Sequence, residues 1–193
     1  MLWIDHFRRE YYAVDPTLLL DIAHDVKLHL MYRAASFSEP TWYMLWAEHD
    51  QYWKPYYLPS DRVPREGLIL DAGAGEGESI LFLSRYGFEN FVAIESDTGK
   101  YDRLVSNTRR LNVRIVNREL TPEDLKGVDF AKIDVDGGEE CLLDLEEPKC
   151  ELVLELHSDD LLRKFMDKWP RLQLLTETQV QSVYLTRLRK SDA

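Results

Sequence analysis

Cysteine is scarce: Cys141 and Cys150 are the only two in 193 residues, and they lie outside any CxxC spacing. Two are too few for a disulfide framework, so both are expected as free thiols, buried or half-buried. Long apolar runs are missing as well, and none of those present could span a bilayer. The first ten residues, Met1 to Glu10, lack the basic segment and apolar run of a secretory signal, which places the expectation in the cytoplasm. Positive charge is in deficit. Twenty-four Lys and Arg against 35 Asp and Glu leave a formal net charge of −11, which argues against a polyanion as the main partner. Arg103, Arg109, Arg110, Arg114 and Arg118 form one basic stretch, read as a solvated helix face and loop. Internal repeats and low-complexity tracts are also absent.

What remains is the composition of a globular chain, 45% hydrophobic and 31% charged, with length for one α/β domain and a small extension. Residues 1–66 read as a helical, aromatic extension. Asp15-Pro16 offers an N-cap and first helical position, followed by Leu18, Leu19, Ile22, Val26 and Leu30 at helical spacing. A second start at Ser38-Glu39-Pro40 leads into Trp42, Leu45, Trp46, His49 and Trp53 along one helix face, expected to pack on the main domain. Placed before the first strand, this extension is expected to cap a site at the strand ends.

From residue 67 to 193 strand and helix patterns alternate. Strands are expected at 68–70, 91–95, 113–116, 128–134, 151–156, 172–175 and 180–188. Helices are expected over 76–86, 98–111, 139–145 and 159–169. This implies an α/β, Rossmann-like, doubly wound and mostly parallel seven-stranded sheet, closed by a hairpin with one antiparallel strand.

The pivot is Leu68 to Ser79, an apolar run ending in Asp71 and followed by Gly73, Gly75 and Gly77. Glycines let the chain turn sharply and approach a ligand closely, and a helix N-terminus follows. The dinucleotide fingerprint requires a small residue at position 78, where Glu78 stands, and no Gly-Lys-Ser/Thr follows for a P-loop. The other strand ends are polar: Glu95, Asn117 with Glu119, Asp134 with Asp136, and Glu155 with His157. Ligands of doubly wound sheets sit beyond these ends.

The Asp71-x-Gly73-x-Gly75-x-Gly77 spacing has the form seen in S-adenosylmethionine (SAM) methyltransferases of the Rossmann-like class. Lys132-Ile133-Asp134-Val135-Asp136-Gly137-Gly138-Glu139, followed by Glu155-Leu156-His157, resembles the FkbM-type methyltransferases over residues 67–157. Asp136 departs from that family's usual Glu, and Gly75-Glu76-Gly77 from its Asn-x-Gly. The resemblance implies SAM as cofactor. Asp71, Gly73, Gly75 and Gly77 would line the methionine moiety, Glu95 would hold the ribose hydroxyls, and Asn117 with Arg118 would border the adenine. Asp134 would serve the methionine amino group or the acceptor, and Asp136, Glu139, Glu155 and His157 would ring the acceptor pocket. For a hydroxyl acceptor, His157 or Asp136 would take the proton, so Asp134, Asp136 and His157 are the catalytic candidates.

His157 has an alternative role at the start of the next helix, beside Ser158-Asp159-Asp160. The cluster Asp134, Asp136, Glu155 and His157 could also hold a divalent cation, but acid/base work and ammonium recognition already account for it, and no metal is expected. The expected function is methylation of an oxygen on a small-molecule or sugar-like acceptor. Alternatives are a non-catalytic SAM-fold binding protein and an RNA methyltransferase.

Overall fold

The structure is a computed structural model that describes residues 2–5, 10–13, 30, 34–39, 41, 53, 55–177 and 183–190. Strands β1 (Leu2–Asp5) and β2 (Glu10–Ala13) pair antiparallel, with Leu2 opposite Ala13 and Asp5 opposite Glu10. The helical reading of residues 1–66 is corrected over 2–5 and 10–13, where a pleated ladder stands in its place, which the Leu-Trp-Ile and Tyr-Tyr runs favour. The helix expected at Asp15-Pro16 and the stripe Trp42, Leu45, Trp46 and His49 lie outside the described residues.

The main sheet contains β3 (Leu68–Ala72), β4 (Asn90–Ile94), β5 (Asn112–Val116), β6 (Phe130–Ile133), β7 (Glu151–Leu156), β8 (Gln173–Glu177) and β9 (Tyr184–Leu188). Their order is β5-β4-β3-β6-β7-β9-β8. The first five strands are parallel, and β9 runs antiparallel between β7 and β8. The expected seven-stranded, doubly wound sheet is therefore present. The chain winds outward from β3 to β5, then returns to β6 beside β3. That reversal is the topological switch point, where a crevice opens beyond the strand ends.

Three helices and two short 3₁₀ segments make the connections: α1 (Glu78–Arg85), α2 (Thr98–Thr108), Pro122–Leu125, Gly138–Asp144 and α3 (Asp159–Lys168). Asp97 caps α2 by accepting from the N–H groups of Gly99 and Lys100 at 2.7 and 2.9 Å, and Ser158 caps α3 through the N–H of Leu161 at 3.2 Å. Alternate residues of each buried strand feed opposite faces. Ile69, Phe91, Ala93 and Phe130 join α1 on one side, while Leu70, Val92, Ala131 and Leu152 join Phe165 and Trp169 on the other.

α1 is buried almost all round, including Phe82, because Trp53 and a strap over 55–60 cover its outer side. Trp53 packs edge-on to Phe82 with ring centres 5.8 Å apart and lies 5.7 Å from Tyr57. The strap is tied to the sheet by polar contacts. Ser60 donates its N–H and hydroxyl to Glu151 at 2.9 and 2.5 Å, Arg187 pairs with the same carboxylate, and Arg187 Nη2 donates to the Leu58 carbonyl at 2.8 Å. Cys150 is buried, which pushes its thiol up to about 11, and Cys141 is half-buried; both are free, as expected. Among the described residues no helix is long and apolar enough to cross a membrane.

Candidate functional site

The loop after β3 is fixed from below and within. Gly73, Gly75 and Gly77 have φ of +74°, +56° and +93°, and a Cβ at Gly73 would fall 1.6 Å from the carbonyl oxygen of Asp134. Only glycine permits the loop after β3 to lie so close to the end of β6. The backbone N–H groups of five consecutive loop residues are all taken by the protein. Gly73 and Ala74 donate to the Ile94 carbonyl at 2.9 and 3.0 Å, and Gly77 to the Ala74 carbonyl at 2.9 Å. Gly75 donates to Glu95 Oε2 and Glu76 to Glu78 Oε2, both at 2.8 Å. A phosphate cradle needs such groups free. This loop has instead turned three of them to backbone carbonyls and two to acids.

Asp71, at the end of β3, has no exposed surface. Ser79 donates its hydroxyl to Asp71 Oδ2, and Lys132 Nζ lies 3.7 Å from Oδ1. Burial leaves the Asp71 carboxyl above its ordinary range although Lys132 and Ser79 both pull it down. Burial alone would lower the Lys132 ammonium, but Asp134, Asp71 and Glu78 surround it and hold it above its ordinary range. Lys132 Nζ also donates to the Gly73 carbonyl at 3.2 Å, so one buried cation joins the glycine loop to β6. Burial pushes the Glu78 carboxyl up to about 7.

Glu95 follows β4, with Oε2 receiving Gly75 and Oε1 receiving the N–H of Asp97 at 2.8 Å. Each carboxylate oxygen keeps a second lone pair for a ligand hydroxyl. Asn117 spends its amide on the carbonyls of Glu95 and Ser96, at 2.7 and 3.2 Å, and so braces the strand end that carries Glu95. Arg118 is held bidentate by Asp124, at 2.8 and 2.6 Å. The early chain reaches the loop at Glu76. Ser38 donates its N–H to Glu76 Oε2 and Arg103 pairs with Oε1, both at 2.7 Å. Burial would raise the Glu76 carboxyl, but these contacts hold it below the usual range.

Across the switch point, the residues after β6 and β7 converge. His157 Nε2 lies 3.5 Å from Asp134 Oδ1 and 3.6 Å from Asp136 Oδ1, and Nδ1 lies 2.9 Å from Glu139 Oε1. Asp136 takes a left-handed φ of +50°, which aspartate tolerates, and Gly137 follows at +97°. The hydrogen bond to the fully buried Glu139 pushes His157 up to about 9, against the opposing effect of burial. The helix cap next door is Ser158, so the imidazole is turned to the acids. Glu155 receives the hydroxyl of Tyr57 from the strap.

The site residues expected from sequence therefore form two groups, Asp71, Gly73, Gly75, Gly77 and Glu95 around the loop, and Asp134, Asp136, Glu139 and His157 beside it. Lys132, Ser79 and Tyr57 were not anticipated. The signal for Lys132 was present: a lysine between Ala131 and Ile133 in a buried strand must find acids, because an unpaired buried charge is costly.

No protein-family model matches the chain, and no curated protein matches it in sequence. Solved structures share its fold. A precorrin-6y C5,15-methyltransferase from Geobacter metallireducens aligns with a TM-score of 0.51 at 19% identity, over 67% of this chain and 83% of that one. Fibrillarin from Aeropyrum pernix, solved with natively bound S-adenosyl-L-methionine, gives 0.50 at 11% identity over 66% and 69%. The METTL16 MTase domain gives 0.52 at 16% identity over 68% and 62%. The chain thus has the Rossmann-like fold of SAM-dependent methyltransferases.

Proposed function

We propose that this chain is a SAM-dependent methyltransferase that methylates an oxygen of a small-molecule acceptor, the reaction its FkbM-like motifs imply. The observation that carries the reading is the loop itself: five N–H groups are satisfied by the protein, and Asp71, Glu76, Glu78 and Glu95 gather around them. That chemistry disfavours a pyrophosphate and suits a ligand with a sulfonium, an ammonium and two ribose hydroxyls. Glu95 would hold the ribose, the loop from Gly73 to Gly77 would lie against the methionine moiety, and Asp134 would face its amino group or the acceptor. SAM supplies an electrophilic methyl group; the residues of the chain place the acceptor in line with it, which is worth on the order of 7–11 kcal/mol in favourable cases. Asp134, Asp136 and His157 would orient the acceptor hydroxyl, and its proton would leave by way of Asp136 or His157 to solvent.

Calorimetric titration with SAM and with its demethylated product tests this. Micromolar binding of both is expected, and no binding of either at high micromolar concentration overturns it. A non-catalytic binder would bind SAM yet have no turnover for substitutions at Asp136 or His157 to abolish. The RNA reading loses support from its own arginines, since Arg103 is paired with Glu76 and Arg118 with Asp124. A flat salt dependence of RNA binding would remove it.

A further inference from the structure

Asp134, Asp136 and His157 each bring one donor atom to a shared space, and the three atoms lie within 4.8 Å of one another. The imidazole Nε2 stands 3.5 and 3.6 Å from the two carboxylate oxygens. A charge-assisted hydrogen bond would close to about 2.8 Å. Donor atoms that share a cation at about 2.1 Å stand about 3.0 to 3.4 Å apart, from octahedral to tetrahedral angles. The two gaps at the imidazole are within a small side-chain adjustment of that range and longer than an ordinary hydrogen bond.

The far side of the ring supplies a separate observation. Nδ1 faces Glu139 Oε1 at 2.9 Å, and that oxygen also receives the N–H of Val135 at 3.3 Å. Glu139 has no exposed surface, and its other oxygen has no hydrogen-bond partner among the described residues. A buried carboxylate behind Nδ1 holds that nitrogen as the donor, so a cation that displaces the Nε2 proton meets the lone pair there, the arrangement in which histidine ligates metals. Asp134 is oriented in the same way. Its Oδ2 lies 3.4 Å from Lys132 Nζ, which leaves Oδ1 to the shared space.

We propose that Asp134, Asp136 and His157 bind a divalent first-row cation, with Glu139 as the positioning residue behind His157. One imidazole nitrogen with two carboxylate oxygens, and no thiolate, suits manganese(II). Three protein ligands leave open positions for an acceptor. Resting on the methyltransferase reading, the acceptor class is one that chelates through two oxygens, a vicinal diol or a hydroxy acid. The cation acidifies the bound hydroxyl. The O–CH₃ bond then forms as the S–CH₃ bond breaks, the sulfonium becomes a neutral thioether, and the hydroxyl proton passes to solvent.

Titration of the full chain with Mn²⁺, followed by loss of the free-ion paramagnetic resonance signal, tests the site without any turnover. One ion per chain is expected. Asp136→Ala, at a side chain 87% exposed, should weaken binding at least tenfold, while the fold bears only the backbone penalty of alanine at a left-handed φ. Glu139→Gln should weaken it roughly 10- to 100-fold with SAM affinity unchanged. Asp160→Ala, at another exposed acid paired with Lys164, should change nothing. A folded chain that binds none of Mn²⁺, Co²⁺ or Zn²⁺, or an Asp136→Ala chain with parental affinity, overturns the proposal. SAM binding without metal binding would remove this inference and leave the methyltransferase reading; metal binding without SAM binding would do the reverse.

Discussion

Glu78 Oε2 accepts the backbone N–H of Glu76 at 2.8 Å, so the first residue of α1 folds its carboxylate back against the glycine loop. A Cβ on Gly75 would meet Glu78 Oε1 at 2.5 Å, which shows how closely the acid fills that space. The residue that separates this loop from a dinucleotide fingerprint therefore does so physically, with an acid set against the loop. The fold carries a charge cost for it, because Glu78 is only 8% exposed.

That cost is measurable. Glutamate ordinarily titrates at 4.5, whereas burial pushes Glu78 up to about 7 in the folded chain. The folded state thus binds the proton more tightly than the unfolded state, and stability falls as pH rises from 4.5 through 7. The gap corresponds to about 3 kcal/mol once ionisation is complete. Glu78→Gln keeps an acceptor for the Glu76 N–H and removes the charge. Urea denaturation should show the variant more stable than the parent at pH 8 by that order, with the advantage vanishing towards pH 4. A difference independent of pH would contradict the assignment.

Gly73 and Gly127 offer a matched pair, since both have φ of +74°. A Cβ at Gly127 meets nothing within 4 Å, whereas at Gly73 it strikes the Asp134 carbonyl. Gly127→Ala should cost only the left-handed backbone penalty, about 1–2 kcal/mol. Gly73→Ala should cost clearly more, because the ends of β3 and β6 must separate, and it should abolish SAM binding. Chemical denaturation and calorimetry on the two variants check this. Equal losses of stability would mean that the close approach to Asp134 is not what requires glycine at 73.

Much of this was legible in the sequence because strand ends are read by position. Once β3, β4, β6 and β7 are placed by their apolar runs, Asp71, Glu95, Asp134 and His157 follow as neighbours without any knowledge of contacts. Lys132 was passed over because it sits inside such a run, where side-chain character is discounted in favour of the pattern. The burial of Phe82 is not readable from helical periodicity, which allows one buried face; the second is created by Trp53 from far along the chain. The pairing of Leu2–Asp5 with Glu10–Ala13 was missed for a related reason: four-residue runs are too short for their period to be told apart.

Arg187 and Glu151 tie the strap to the sheet from well inside it, with side chains 13% and 0% exposed. Burial would raise the Glu151 carboxyl, but Arg187 and Ser60 hold it below its ordinary range. Its contribution is therefore present above pH 4.5 and is lost as pH falls. Arg187→Met leaves a buried carboxylate without its cation and should cost about 3–5 kcal/mol at pH 7. The double change Arg187→Met with Glu151→Gln should recover a large part of that loss. A double variant no more stable than the single one, by urea midpoint, would show that the charge pair is not the source.

Glu95→Gln tests the link between fold and cofactor most directly. Both Glu95 oxygens receive backbone N–H groups, from Gly75 on the loop and Asp97 at the α2 cap. A carboxylate can accept on both sides; an amide presents an NH₂ to one of them, and that donor meets another donor. The substitution thus removes a charge-assisted hydrogen bond and sets the glycine loop against its anchor, beyond any lost contact to ribose. Hydrogen bonds to charged groups contribute about 1.5–3 kcal/mol, so SAM affinity should fall by at least tenfold. Manganese binding at Asp134, Asp136 and His157 should stay at its parental value, because Glu95 belongs to the other side of the crevice. If SAM affinity were unchanged while the chain remained folded, Glu95 would be an architectural residue of the loop and the ribose would have to be held elsewhere.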